Sequence, residues 1–135
     1  MSADEQRKKV LEEKRHVSSR ISDLSRYIGF ALIAVVYAIL TSDSSVIAKL
    51  YGTRSSLLLS AAAFGALAIM LDYLQFLTGY FSVQAALDNS TDDYKYNDKS
   101  FFYKARIFAF WAKQVASIIG SLIFGAAIVL PFVCA

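Results

Sequence analysis

Two charges stand at the edges of long uncharged runs, and they are the residues best placed to do chemistry. Asp72 ends the run Ser55–Leu71, and Lys113 lies just before the run Val115–Ala135; neither run contains Asp, Glu, Lys or Arg. A charge held next to so much apolar chain is costly unless something partners it, and an ionisable group at membrane depth is by default a functional candidate. Three roles are open to Asp72. It can form an interhelical ion pair with Lys113, helped by Gln114. It can be an ion or proton site. It can sit exposed among lipid headgroups. Spacing bears on the first role. Asp72 lies 18 residues after Arg54, and Lys113 lies 18 residues before Pro131. Each interval is about 27 Å of helix, so two antiparallel helices starting at one membrane face bring both charges to the same depth.

No other constellation supports chemistry. No nucleophile lies near a plausible base, and there is no phosphate-binding loop. The single cysteine, Cys134, cannot form an internal disulfide. With one histidine and no Cys/His cluster, a structural zinc site has no ligand set. That histidine, His16, stands in a charged helical stretch and reads as solvated. The acidic segment 88–93 lacks the glycine and glutamate of a calcium-binding loop. Asn89-Ser90-Thr91 matches a glycosylation sequon but falls on the side expected to be cytosolic, which makes it a chance match. The expectation is no catalytic residue, no cofactor and no metal.

Two residue classes point to contacts instead. Ala61 and Gly65, and likewise Ser117, Ser121 and Gly125, are small residues repeating every four positions. Such positions let helices approach closely in lipid, either within one chain or between copies. Aromatic residues are dense from Tyr73 to Phe81 and from Phe101 to Trp111. Most fit an interfacial belt. Phe101, Phe102 and Tyr80 are candidates for a partner patch if they extend past the headgroups.

The elements that must position these residues are helices. Apolar residues make up 56% of the 135-residue chain and the mean hydropathy is +0.45, more than a soluble domain of this size can hide. The excess falls in blocks near 27–41, 55–71 and 115–135. A span needs about 20 mainly apolar residues; the first block is short, and a two-span arrangement with that block at the interface is the alternative. Before it, residues 1–26 form a charged amphipathic helix. Val10, Lys14, Val17, Ile21, Leu24, Ile28, Ala31, Val35 and Ala38 are spaced alternately by three and four, as in a heptad seam. The seam crosses from the charged tail into the apolar block without a Pro or paired Gly, so one continuous helix is expected, with Arg20 and Arg26 reaching out to the headgroups. Residues 42–54 form the outer loop. The second helix runs through 55–71 and on to 88, with Tyr73, Phe76, Tyr80, Val83 and Leu87 on one apolar face. Residues 89–98 form a cytosolic turn. A cytosolic or interfacial helix, 99–114, continues into the third span. The fold class is therefore all-α: an integral membrane three-helix bundle of three transmembrane helices, one domain, with helices extending into the cytosol.

The net charge of +3 is modest, and the basic residues of the tail are mixed with acids. That pattern excludes nucleic acid as a partner. Basic residues report topology instead. Seven Lys and Arg in the tail and five in the second connection share one side, against Lys49 and Arg54 in the first loop. A plasma or inner membrane location follows, with the N-terminus cytoplasmic and the C-terminus outside. No cleavable signal peptide is expected, since the charged N-terminal stretch is too long and too acidic. The lipid bilayer is one partner; the other is a protein, either a different chain or a second copy. Function then reads as non-enzymatic binding by an accessory or assembly subunit or an immunity-type inhibitor. A self-assembling pore or transport protein is the alternative, although no helix carries a polar stripe through its full depth. An intramembrane or lipid enzyme is the third class. The orientation is tested by labelling an introduced cysteine, Ser2→Cys, and a C-terminal tag on intact cells with impermeant reagents. Only the tag should react; labelling of position 2 alone would reverse the topology.

Overall fold

The computed structural model describes residues 3–45, 47, 55–88 and 100–133. The turn 89–98, most of the outer loop, and Cys134 lie outside the described residues, as do the side chains of Val10 and Lys14. The described chain is helical, without strands: α1 is Ala3–Leu40, α2 is Ser55–Asp88 and α3 is Phe101–Val133. The three pack together, with the largest interface between α2 and α3. Each is long and apolar enough to cross a membrane, over Leu11–Leu40, Ser55–Ala85 and Phe101–Leu130.

α1 is a single helix of 38 residues. It ends where Thr41 donates both its amide and its hydroxyl to the Tyr37 carbonyl, at 3.0 and 2.8 Å. Hydroxyls on the outside of the bundle are satisfied in the same local way. Ser60, Thr78 and Ser121 each donate to a carbonyl four residues back, at 2.8 Å. No exposed hydroxyl of these three therefore needs water.

The packed faces differ from those that large apolar residues mark in the sequence. On α1 the buried residues are Ser22, Ser25, Gly29, Leu32 and Val36. On α2 they are Leu58, Ala61, Gly65, Ala68, Asp72 and Ser82, and on α3 Ala109, Lys113, Ala116, Ser117, Gly120 and Ala127. Successive members of each set keep near-heptad spacing, and apart from Leu32, Val36 and Leu58 their side chains are small or polar. The seam Val17, Ile21, Leu24, Ile28, Ala31, Val35 and Ala38 is exposed along its whole length. So are Tyr73, Phe76, Tyr80 and Val83 on α2, and Phe101, Phe108 and Val115 on α3. The expected α1 seam is thus displaced by one residue, about 100° around the helix. Helices apolar enough to cross a membrane gain little from turning large side chains inward where the surroundings are lipid tails as apolar as leucine, and close contact between backbones then holds them together.

That contact is tightest between α1 and α2. A Cβ on Gly29 would lie 2.8 Å from the Gly65 carbonyl oxygen, and one on Gly65 would lie 2.8 Å from the Gly29 oxygen. Backbone cannot swing aside, so both positions require glycine. Gly120 of α3 completes the layer: its Cβ would stand 2.9 Å from Leu32 Cδ1 and 3.0 Å from Phe64 Cβ. Toward the α1 C-terminus the axis is filled by Val36, Leu58 and Ala127, with Ile39, Leu57, Ala62 and Phe124 around them. Gly125, by contrast, faces open space and Ser121 is exposed. Of the two small-residue repeats, Ala61, Gly65 and Ser117 pack inside the chain, and Ser121 and Gly125 do not. Gly65→Ala should lower thermal stability in detergent by about 1–3 kcal/mol, the usual cost of overpacking. Gly125→Ala should be neutral or gain up to about 1 kcal/mol of helix propensity. Equal melting temperatures for the two variants would contradict the close approach.

Candidate functional site

Asp72 lies at mid-length of α2 on its packed face, with its side chain 7% exposed. Heptad spacing from Ala68 turns it toward both other helices at once. Lys113, on the packed face of α3, is fully buried, and its Nζ donates to Asp72 Oδ1 and to Ser22 Oγ. Ser22 Oγ in turn donates to Asp72 Oδ1 at 3.0 Å. From one turn further along α1, Arg26 Nε donates to Asp72 Oδ2 at 2.8 Å. One carboxylate therefore joins all three helices.

A second ring of contacts holds the cations. The Arg26 guanidinium lies 5.6 Å from the centroid of the Phe76 ring and 3.8 Å from Asp23. Lys113 Nζ lies 5.7 Å from the Phe110 centroid. Ser117 donates to the Lys113 carbonyl at 2.9 Å and to the Ser25 carbonyl at 3.3 Å, which ties α3 to α1 one turn along. Asp23, Arg26, Asp72 and Lys113 carry two charges of each sign, so the cluster is neutral as a unit.

This arrangement limits what the cluster can do. Both carboxylate oxygens are occupied by donors, two of them cationic. A metal ion or a transported cation would have to displace an ammonium or a guanidinium. No group of three or more metal-ligating side chains occurs among the described residues. The geometry is that of a clamp, and of the three roles open to Asp72 it favours the ion pair.

The sequence brings Asp72 and Lys113 into register, but two members of the cluster do not follow from it. Arg26 does not reach out to the headgroups as expected; it turns in to Asp72, because α1 presents the face one residue on from its apolar seam. Ser22 comes with it. The signal available for both is the repeat of small residues Ser22, Ser25 and Gly29, with Arg26 one turn from Ser22. Gln114 does not support the pair: its Nε2 is buried without a hydrogen-bond partner, as is Gln75 Oε1. The candidate partner residues are exposed and form a continuous aromatic ladder across α2 and α3. Ring centroids are 5.8 Å apart for Tyr80–Phe81, 5.4 Å for Phe81–Phe102 and 5.9 Å for Phe101–Phe102.

The chain matches no protein-family model, no curated protein and no solved structure.

Removing one partner of a buried ion pair strands the other and costs about 3–5 kcal/mol. Lys113→Met and Asp72→Leu should each destabilise the bundle by that order, and the double variant should recover much of the loss. Thermal melts of all four proteins in one detergent give the coupling energy. Additive losses would mean that the two charges do not interact.

Proposed function

We propose that this chain is a three-span protein of a plasma or inner membrane that acts without catalysis, by holding another membrane protein along α1. The observation that carries the reading is the exposed apolar seam from Val17 to Ala38. A surface that meets only lipid needs to be apolar; a seam at helix-packing intervals that runs on into the charged tail offers a face to a partner helix. The seam also continues past the depth of Asp72. Val17, about 8 Å of helix beyond Ser22, stands among Arg15, His16, Ser18, Ser19 and Arg20, where lipid alone does not explain it. The occupant with this chemistry is a membrane-spanning helix whose apolar seam continues into an amphipathic cytosolic extension. An accessory or assembly subunit and an immunity-type inhibitor are both proteins that work in this way.

Membrane depth follows from the same surface. Asp72 lies about 26 Å along α2 from Ser55, and a hydrocarbon layer is about 30 Å thick. Beyond Asp72, exposed Tyr73, Phe76, Phe108 and Trp111 make the belt expected at an interface. The twelve-to-two basic count assigns this end to the cytoplasm. A pore through one bundle is disfavoured by the filled axis at Gly29, Gly65, Val36 and Leu58.

Photo-crosslinking residues placed singly along α1 test the seam in native membranes. Adducts of one mass should form from positions 17, 21, 24 and 28 and fall away at 23, 27 and 30. Ile21→Asn with Leu24→Asn should abolish the adduct while leaving the melting temperature within about 1 kcal/mol, as for other exposed substitutions. An adduct of twice the chain mass identifies a second copy as the partner. Uniform yields around the helix would sink the proposal.

A further inference from the structure

Beyond the Asp72 network the bundle carries one more charge with a defined seat. Arg106 lies seven residues before Lys113, and Gly79 lies seven residues after Asp72. On antiparallel helices both therefore stand about 10 Å beyond the network, and they meet. A Cβ on Gly79 would lie 3.6 Å from Arg106 Nε and 3.8 Å from its Cζ. With hydrogen there instead of a side chain, the guanidinium lies against the backbone of α2. It is exposed, and among the described residues no carboxylate pairs with it.

The surroundings are apolar and aromatic on both sides along the helix axis. One turn toward the network are Phe110 and Trp111, with ring centroids 5.7 Å apart. One turn the other way is Phe102, joined through Phe81 to Tyr80. An exposed guanidinium with no carboxylate partner among the described residues, and with aromatic residues about one turn away on either side, suits a group with a phosphate and a hydrocarbon tail. Depth selects the source of that phosphate. Headgroups occupy about 5–8 Å beyond each face of the hydrocarbon layer, and the depth proposed above puts Arg106 at that level.

We propose that Arg106, seated on Gly79, is a binding site for the phosphate of an anionic phospholipid, with the acyl chains running past Phe110 and Trp111. The guanidinium fork takes two phosphate oxygens in parallel hydrogen bonds, a geometry that lysine cannot reproduce. The site rests on the proposed membrane depth but not on the partner or the orientation.

The test uses purified full-length protein in neutral detergent, titrated with phosphatidylglycerol or phosphatidylcholine and read by native mass spectrometry and thermal melting. Phosphatidylglycerol should bind and stabilise in preference to phosphatidylcholine. Arg106→Gln should weaken that binding about tenfold, as expected for losing a charge-assisted pair of hydrogen bonds. Gly79→Leu, which keeps the charge but fills its seat, should weaken it similarly. Lys104→Gln, two residues away and on another face of α3, should have little effect. Equal losses for Lys104→Gln and Arg106→Gln would show diffuse attraction and overturn the site. Equal protection by inorganic phosphate, or no preference over phosphatidylcholine, would overturn it as well. Because no partner is present in the micelle, these outcomes are independent of the crosslinking pattern along α1.

Discussion

One carboxylate fixes the relation between the three helices. Asp72 accepts from Ser22 and Arg26 of α1 and from Lys113 of α3, and Lys113 and Ser22 bond each other as well, which closes the cluster across all three helices. Sliding α2 or α3 by one turn, about 5.4 Å, would separate the buried Asp72–Lys113 pair, and sliding α1 would take Ser22 and Arg26 away from Asp72. Such a cluster need not make the bundle more stable than an apolar replacement would, because desolvation offsets much of the attraction. It makes one register far better than its neighbours. In lipid that distinction matters more than in water, since apolar side chains fit almost equally well in any register.

The rest of the packing complies with that register through small residues. Gly29 and Gly65 bring two backbones into contact, Gly120 brings in the third, and the polar cluster lies next to this layer on α1 and α2. Both features need the same faces of the same helices: small enough for close approach and polar enough to meet Asp72. Large side chains are thereby displaced to the outside. Around the polar cluster, an inward face of serine, glycine and alanine and an outward seam of isoleucine, leucine and valine are two results of one constraint; Leu32, Val36 and Leu58 fill the axis beyond it.

That division leaves the outside of the molecule free for recognition. The interior is closed, neutral as a unit and short of room, so it offers little to a substrate. The exterior is differentiated instead. α1 presents aliphatic side chains at helix-packing intervals, while α2 near its C-terminus and α3 near its N-terminus present aromatics around Arg106 on Gly79. An aliphatic seam suits another helix; aromatics with an unpaired guanidinium suit the headgroup region.

The sequence by itself determined the elements and the principal pair. Charge-free runs at Ser55–Leu71 and Val115–Ala135 identify long apolar helices, because a continuous apolar run of that length satisfies its backbone within itself only as a helix. Equal spacing of Asp72 and Lys113 from the helix ends brings them to one depth through helix rise alone. What the sequence did not decide is which face of each helix points inward. Apolar periodicity marks a face, and in water that face is buried; in lipid it carries no such instruction. Only the tertiary structure turned α1 so that Ser22 and Arg26, not Ile21 and Leu24, meet the other helices. It likewise separated Ala61, Gly65 and Ser117, which pack, from Ser121 and Gly125, which do not. Those choices rest on close fits between atoms on different helices, such as Ser117 on the Ser25 carbonyl at 3.3 Å, and no spacing within one helix encodes them.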